Sequence, residues 1–203
     1  MREPEIFTLG NGIRVAHCRT NSSKIVHCGI MFDIGSRDES KTLQGIAHFW
    51  EHMAFKGTER RNAFHILNRL EVVGGELNAF TDKEKIMFYA SVRNDHFERA
   101  MELLCDIAFH SVFPENQVVR ERKVILEEMS MYYDDPDGAL QDEFDSLVYP
   151  DHPMGMNILG TERSISGFGR EDFKKFIGRN LDTGRVVFSV VGDIAESDVH
   201  RLA

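Results

Sequence analysis

Residues 45–57 read Gly45-Ile-Ala-His-Phe-Trp-Glu-His-Met-Ala-Phe-Lys-Gly57, and they mark where the chain changes from strands to helices. Upstream, Glu5–Leu9 and Ile13–Arg19 flank Gly10-Asn11-Gly12. Asn-Gly supplies positive φ at little cost, so this triplet predicts a hairpin. A third apolar strand, Ile25–Ile34, closes at Gly35-Ser36. The quoted stretch belongs to a predicted helix, Thr42–Phe55, closed near Gly57. Downstream, Asn62 is placed to cap a helix over Ala63–Val73, which ends at Gly74-Gly75. Glu76–Phe80 and Lys85–Val92 read as strands around Thr81-Asp82-Lys83. Asp95–Phe109 carries Phe97, Met101, Leu104 and Ala108 on one helical stripe. Pro114 opens a long helix to about Tyr133, and Asp134-Asp135-Pro136 stops it. A helix over Ala139–Val148, a Pro/Gly loop from Tyr149 to Gly160 and a helix over Glu171–Ile177 follow. Arg185–Val191 is an apolar strand ending at Gly192-Asp193, and a new helix starts near Glu196. Strands and helices are segregated rather than alternating. That pattern predicts an α+β fold with an antiparallel sheet packed against helices.

The 203 residues carry 24 Lys plus Arg and 33 Asp plus Glu, a net charge of −9. An acidic chain without a basic block is a poor nucleic-acid binder. No apolar run approaches the ~20 residues that span a bilayer. The start, MREPEIFTLGNGIRV, lacks a basic segment followed by an apolar one, so a cytoplasmic location is expected. Cys18, Cys28 and Cys105 are too scattered for a disulfide framework. A Cys18–Cys28 bridge requires their strands to be neighbours. Residues 1–203 read as one domain. Because the chain stops just after a strand enters a helix, it is expected to be part of something longer.

His48 and His52 stand four residues apart, on one helix face, about 6 Å from each other. Two imidazoles at that spacing can reach a shared Zn²⁺ at ~2.0–2.1 Å. Glu51 lies on the same side, placed to face a water without being a ligand. This is the inverted H-x-x-E-H arrangement. A catalytic zinc needs a third protein ligand. The candidate element is the long helix with Glu121-Arg-Lys-Val-Ile-Leu-Glu-Glu128. Its Val124-Ile125-Leu126 run is expected to face the core, and Glu121 and Glu128, two turns apart, share a face. Glu127 competes with Glu128, since adjacent helix residues point ~100° apart and only one faces the metal.

The H-x-x-E-H, with Glu128 standing 76 residues after His52, resembles the M16 peptidases. These are the pitrilysin, insulin-degrading enzyme and mitochondrial processing peptidase family. His52-Met-Ala-Phe-Lys-Gly-Thr58, Val73-Gly-Gly-Glu-Leu-Asn-Ala-Phe-Thr81, Asn157-Ile-Leu-Gly-Thr161 and Val190-Val-Gly-Asp-Ile194 carry the resemblance further. It implies a zinc-dependent endopeptidase. By its register His48, His52 and Glu128 are the Zn²⁺ ligands, Glu51 is the base that activates water, and Glu121 orients a ligand. Asn78, Ala79 and Phe80 match the edge strand on which such enzymes lay a substrate peptide, by strand addition. A second homologous domain or subunit is the implied partner. A half-enzyme active only with that partner is one alternative, and a non-catalytic peptide-binding or assembly subunit is another. Such subunits typically lose the motif, which is intact here. Two departures stand out: Trp50 replaces a more usual aliphatic inside the motif, and Glu84-Lys85 stands where the family often has Glu-His.

Other groups read as structural. His17-Cys18 and His27-Cys28 sit on strands, where neighbours point to opposite faces, which argues against a second metal site. His65, His96, His110, His152 and His200 lack ligand spacing. The Met131-Tyr132-Tyr133 group is expected in the core or lining a chamber.

Overall fold

Gly10-Asn11-Gly12 does close a hairpin. It joins β1 (Glu5–Thr8) to β2 (Arg14–Arg19), with Gly12 at φ +96° and the Leu9 N–H donating to the Ile13 carbonyl. The computed structural model describes residues 3–203, the side chain of Tyr133 excepted. Four more strands complete one sheet: β3 (Ile25–Phe32), β4 (Glu76–Thr81), β5 (Ile86–Arg93) and β6 (Val186–Gly192). The spatial order is β1-β2-β6-β3-β5-β4. Every pairing is antiparallel except β2 with β6, which is parallel. The exception arises because β6 returns after all but one of the helices and slots between β2 and β3. Local pattern cannot announce so distant a pairing. The same insertion separates the strands of Cys18 and Cys28, so the condition for bridging them is not met.

Among the described residues, eight α-helices accompany the sheet: α1 (Ile46–Ala54), α2 (Ala63–Glu71), α3 (Phe97–Phe109), α4 (Glu115–Tyr133), α5 (Pro136–Val148), α6 (Glu162–Gly167), α7 (Arg170–Asn180) and α8 (Glu196–Leu202). The central strands alternate as a one-sided sheet must. Ile86, Phe88, Ala90 and Val92 of β5 are buried, as are Val186, Phe188 and Val190 of β6, while Met87, Tyr89 and Ser91 stand half-buried on the other face. Buried α3 residues such as Leu104 and Ile107 pack against that inner face. Trp50, fully buried, fills the layer between α1 and the sheet, its ring centroid 5.3 Å from Phe32 and 6.3 Å from Phe88. The large indole at this position therefore belongs to the core, away from the histidines beside it.

Four expectations need correction. The helix around the motif begins at Ile46, not Thr42, because Gly45 turns left-handed at φ +87°. A Cβ at Gly45 would sit 2.5 Å from the Leu159 carbonyl, so the Asn157–Thr161 loop packs against the entrance of α1. Pro136 both ends α4 and opens α5, since Asp135 accepts the Asp137 N–H and the ring occupies the first turn. Val124 is 45% exposed while Ile125 is fully buried, because the 100° step along α4 cannot hide three consecutive residues. Of the Met131–Tyr133 group, Tyr132 packs on the core, Met131 is exposed, and the Tyr133 side chain lies outside the described residues. Among the described residues, no helix is long and apolar enough to cross a membrane.

Candidate active site

α1 buries Phe49, Trp50 and Met53 and turns His48, Glu51 and His52 the other way, toward α4 and β4. A second helix supplies the carboxylates. Glu128 places Oε1 3.6 Å from His48 Nε2 and Oε2 3.5 Å from His52 Nε2. One ligand atom from each of His48, His52 and Glu128 lies within 4.8 Å of the others. Glu127, one step away on α4, is exposed. The structure therefore brings together the two imidazoles and Glu128 rather than its neighbour.

The chemistry of this set suits a divalent cation. Burial, and then the neighbouring His52, push the His48 imidazole down to about 3, so its ring is neutral and keeps a lone pair at pH 7. Glu121 accepts a hydrogen bond from His52 Nδ1 at 3.0 Å and pairs with Lys56 Nζ at 2.7 Å. Burial alone would push the Glu121 carboxyl up, but the His52 and Lys56 bonds bring it below the usual range. An ionised carboxylate can only accept, so His52 Nδ1 carries a proton toward Glu121, and Nε2 is the nitrogen turned to Glu128. Two nitrogens and a carboxylate converging with one side half open match the donor set of a catalytic rather than a structural zinc.

Glu51 stands beside this trio. Its Oε2 accepts from Thr81 Oγ1 at 2.6 Å. Burial pushes its carboxyl up, opposed by the Thr81 bond and by His52, and reinforced by Glu128. Thr81 closes β4, which forms one edge of the sheet. Asn78, Ala79 and Phe80 all lie on that edge. Asn78 and Phe80 face outward, and Ala79 points inward against the core. The open edge thus ends at the carboxylate of Glu51.

Sequence reasoning missed three supporting residues. Lys56 lies four residues after His52, and that spacing was the available signal. Thr81 was visible only as part of a turn. Glu39 left no local signal. It is 4% exposed, and its two carboxyl oxygens accept from the backbone N–H groups of Gly45 and Ala47, both at 2.8 Å. These are donors at the N-terminus of α1, where Gly45 has no side chain to cap them. Burial pushes the Glu39 carboxyl up to about 8, against the pull of those two N–H groups.

Residues 14–162 match the family described as Insulinase (Peptidase family M16). An uncharacterized zinc protease of Bacillus subtilis, YmxG, is 37% identical over 191 residues, which cover 94% of this chain and 47% of that protein. A probable mitochondrial-processing peptidase subunit beta of Arabidopsis thaliana is 36% identical over 197 residues, covering 97% of this chain and 37% of the relative. The crystal structure of a protease from Helicobacter pylori matches with a TM-score of 0.93 at 26% identity, over 98% of this chain and 49% of the other. A Pseudomonas fluorescens domain described as an inactive M16 peptidase domain shares the fold, with a TM-score of 0.91 at 20% identity over 100% of this chain and 49% of that one. The chain spans about half the length, or less, of the curated relatives it matches.

Proposed function

The chain belongs to the insulinase family, peptidase family M16, a family of metallopeptidases, and from that premise we propose that it is the catalytic part of a zinc-dependent endopeptidase. The observation that carries this reading is Glu128 facing His48 and His52 with one oxygen each, beside Glu51. The fold alone does not carry it, since a domain described as inactive has the same fold.

In this reading His48, His52 and Glu128 hold Zn²⁺. When bound, the ion supplies Lewis acidity, which lowers the pKa of water toward about 7 and polarises a carbonyl. Glu51 takes the proton from the attacking water and hands it to the leaving amine. Thr81 holds Glu51 Oε2 and leaves Oε1 for that proton. Glu121, itself held by Lys56, keeps the His52 ring in the tautomer that points its lone pair inward. The edge of β4 at Asn78–Phe80 takes the peptide as an added strand, so main-chain groups supply the hold whatever the side chains.

Glu51→Gln keeps the shape and removes the base. The expected outcome is undiminished zinc content with peptide cleavage lowered on the order of a thousandfold or more. Cleavage of an extended peptide by the variant at the unaltered rate would falsify the assignment. A second reading, that this chain cleaves only beside a second homologous domain, is favoured by its spanning about half of its relatives.

A further inference from the structure

A second group of donors lies at the other end of the strand order. Glu5 and His17 are direct partners across β1 and β2, so their side chains leave the same face of the sheet. Phe7 and Val15, the next such pair on that face, show which helix covers it. The His200 ring stacks on Phe7 with centroids 3.8 Å apart, and Val199 beside it is fully buried. α8 therefore lies across Glu5 and His17. His200 Nε2 is 3.7 Å from Glu5 Oε1 and 3.8 Å from Glu196 Oε1. One ligand atom from each of these three lies within 4.8 Å of the others.

Beneath them, His17 is 3% exposed and its Nε2 is buried with no hydrogen-bond partner. A buried imidazole nitrogen left unpaired has lost its water and gained nothing in return. Burial lowers its pKa, with Glu5 and Glu196 pulling the other way and Arg19 and His200 adding to the lowering. Arg19 is itself engaged by Asp193 at 3.2 Å, so it is not the cation that the two carboxylates face. Among the described residues no Lys or Arg pairs with Glu5 or Glu196, and the buried His17 nitrogen beneath them has no partner.

We propose that Glu5, Glu196 and His200 form a second divalent-cation site, taking Zn²⁺ or a similar borderline ion through one nitrogen and two oxygens, above the unpaired Nε2 of His17. The site lies at the opposite edge of the sheet from β4 and Glu51, so its role is structural. It ties strand β1 to helix α8, across nearly the full length of the chain. The sequence does not reveal it locally, because His17 and His200 stand 183 positions apart.

The test is Zn²⁺ content per chain after equilibrium dialysis, together with the thermal midpoint. The unaltered chain is expected to hold two equivalents. The His48→Ala/His52→Ala chain keeps one, and Zn²⁺ raises its unfolding midpoint. Adding His200→Ala, or the isosteric Glu196→Gln at an exposed position, removes both that equivalent and the rise. A His48→Ala/His52→Ala chain that holds no zinc overturns the proposal. So does an unchanged content on His200→Ala and on Glu196→Gln. If instead the first histidine pair proves not to bind, the double substitution leaves the content unchanged while His200→Ala still lowers it, which separates the two sites.

Discussion

In the proposed function Glu121 acts on the site through His52. It holds one ring nitrogen at 3.0 Å and is held in turn by Lys56. Partners of this kind fix the tautomer and orientation of a ligating histidine. Their loss typically lowers metal affinity about 10- to 100-fold. Glu121→Gln is therefore expected to weaken zinc binding by that factor in competition with a chelator. A matched affinity in both proteins would show that His52 is oriented by packing alone. Trp50 makes the opposite prediction. It is fully buried against Phe32, Phe88 and Phe176 and faces away from the donors. Trp50→Ala should cost about 3–5 kcal/mol in denaturant unfolding and alter zinc affinity in the surviving folded fraction far less than Glu121→Gln does.

At the scale of elements, the site depends on where α1 starts. Its N-terminus is fixed by Gly45 in a left-handed turn and by the buried carboxyl of Glu39. Glu39→Ala removes that cap and should destabilise the protein by about 0.5–2 kcal/mol. The pH dependence has a definite sign. The folded pKa of about 8 lies above the reference value of 4.5, so the fold prefers the protonated carboxyl. Its stabilising contribution is complete below about 4.5 and is lost as pH rises through about 8. Urea midpoints taken between pH 5 and pH 9 should fall more steeply in the unaltered protein than in Glu39→Gln, which stays neutral. Equal slopes would remove Glu39 as the source.

The legible and illegible parts of the molecule divide along this same line. His48, Glu51 and His52 were readable because one helix turn sets their spacing, and the hairpin at Asn11-Gly12 because its turn chemistry is local. Glu121 and Glu128 were readable as a pair on one helix, while the choice of Glu128 over Glu127 rested on family resemblance. The parallel pairing of β6, the reach of Glu39 to the start of α1 and the meeting of His17 with His200 were not readable. Each joins residues that only the closed chain brings together. The short α6 was missed for a different reason: six residues give too little period to detect.

For the whole molecule, the decisive fact is that it matches about half the length of its relatives. Glu128 is 42% exposed at its side chain, so the donor trio opens outward rather than into an enclosed cavity. A facing domain would hold a peptide against β4 and restrict its motion, and positioning of that kind is worth orders of magnitude in rate. Peptide hydrolysis should accordingly rise on the order of tenfold or more when the second homologous domain is supplied on the same or another chain. Hydrolysis by the lone chain that the added domain does not change would count against a divided site.

The outer position of β4 has one more consequence. A strand that offers only main-chain groups recognises a backbone whose own N–H and C=O groups are still uncommitted. Segments coiled into helices or paired within sheets have already spent theirs. Under the proposed chemistry, then, what exposes a protein to this scissor is the frequency with which a stretch of it comes loose, more than the letters that stretch spells.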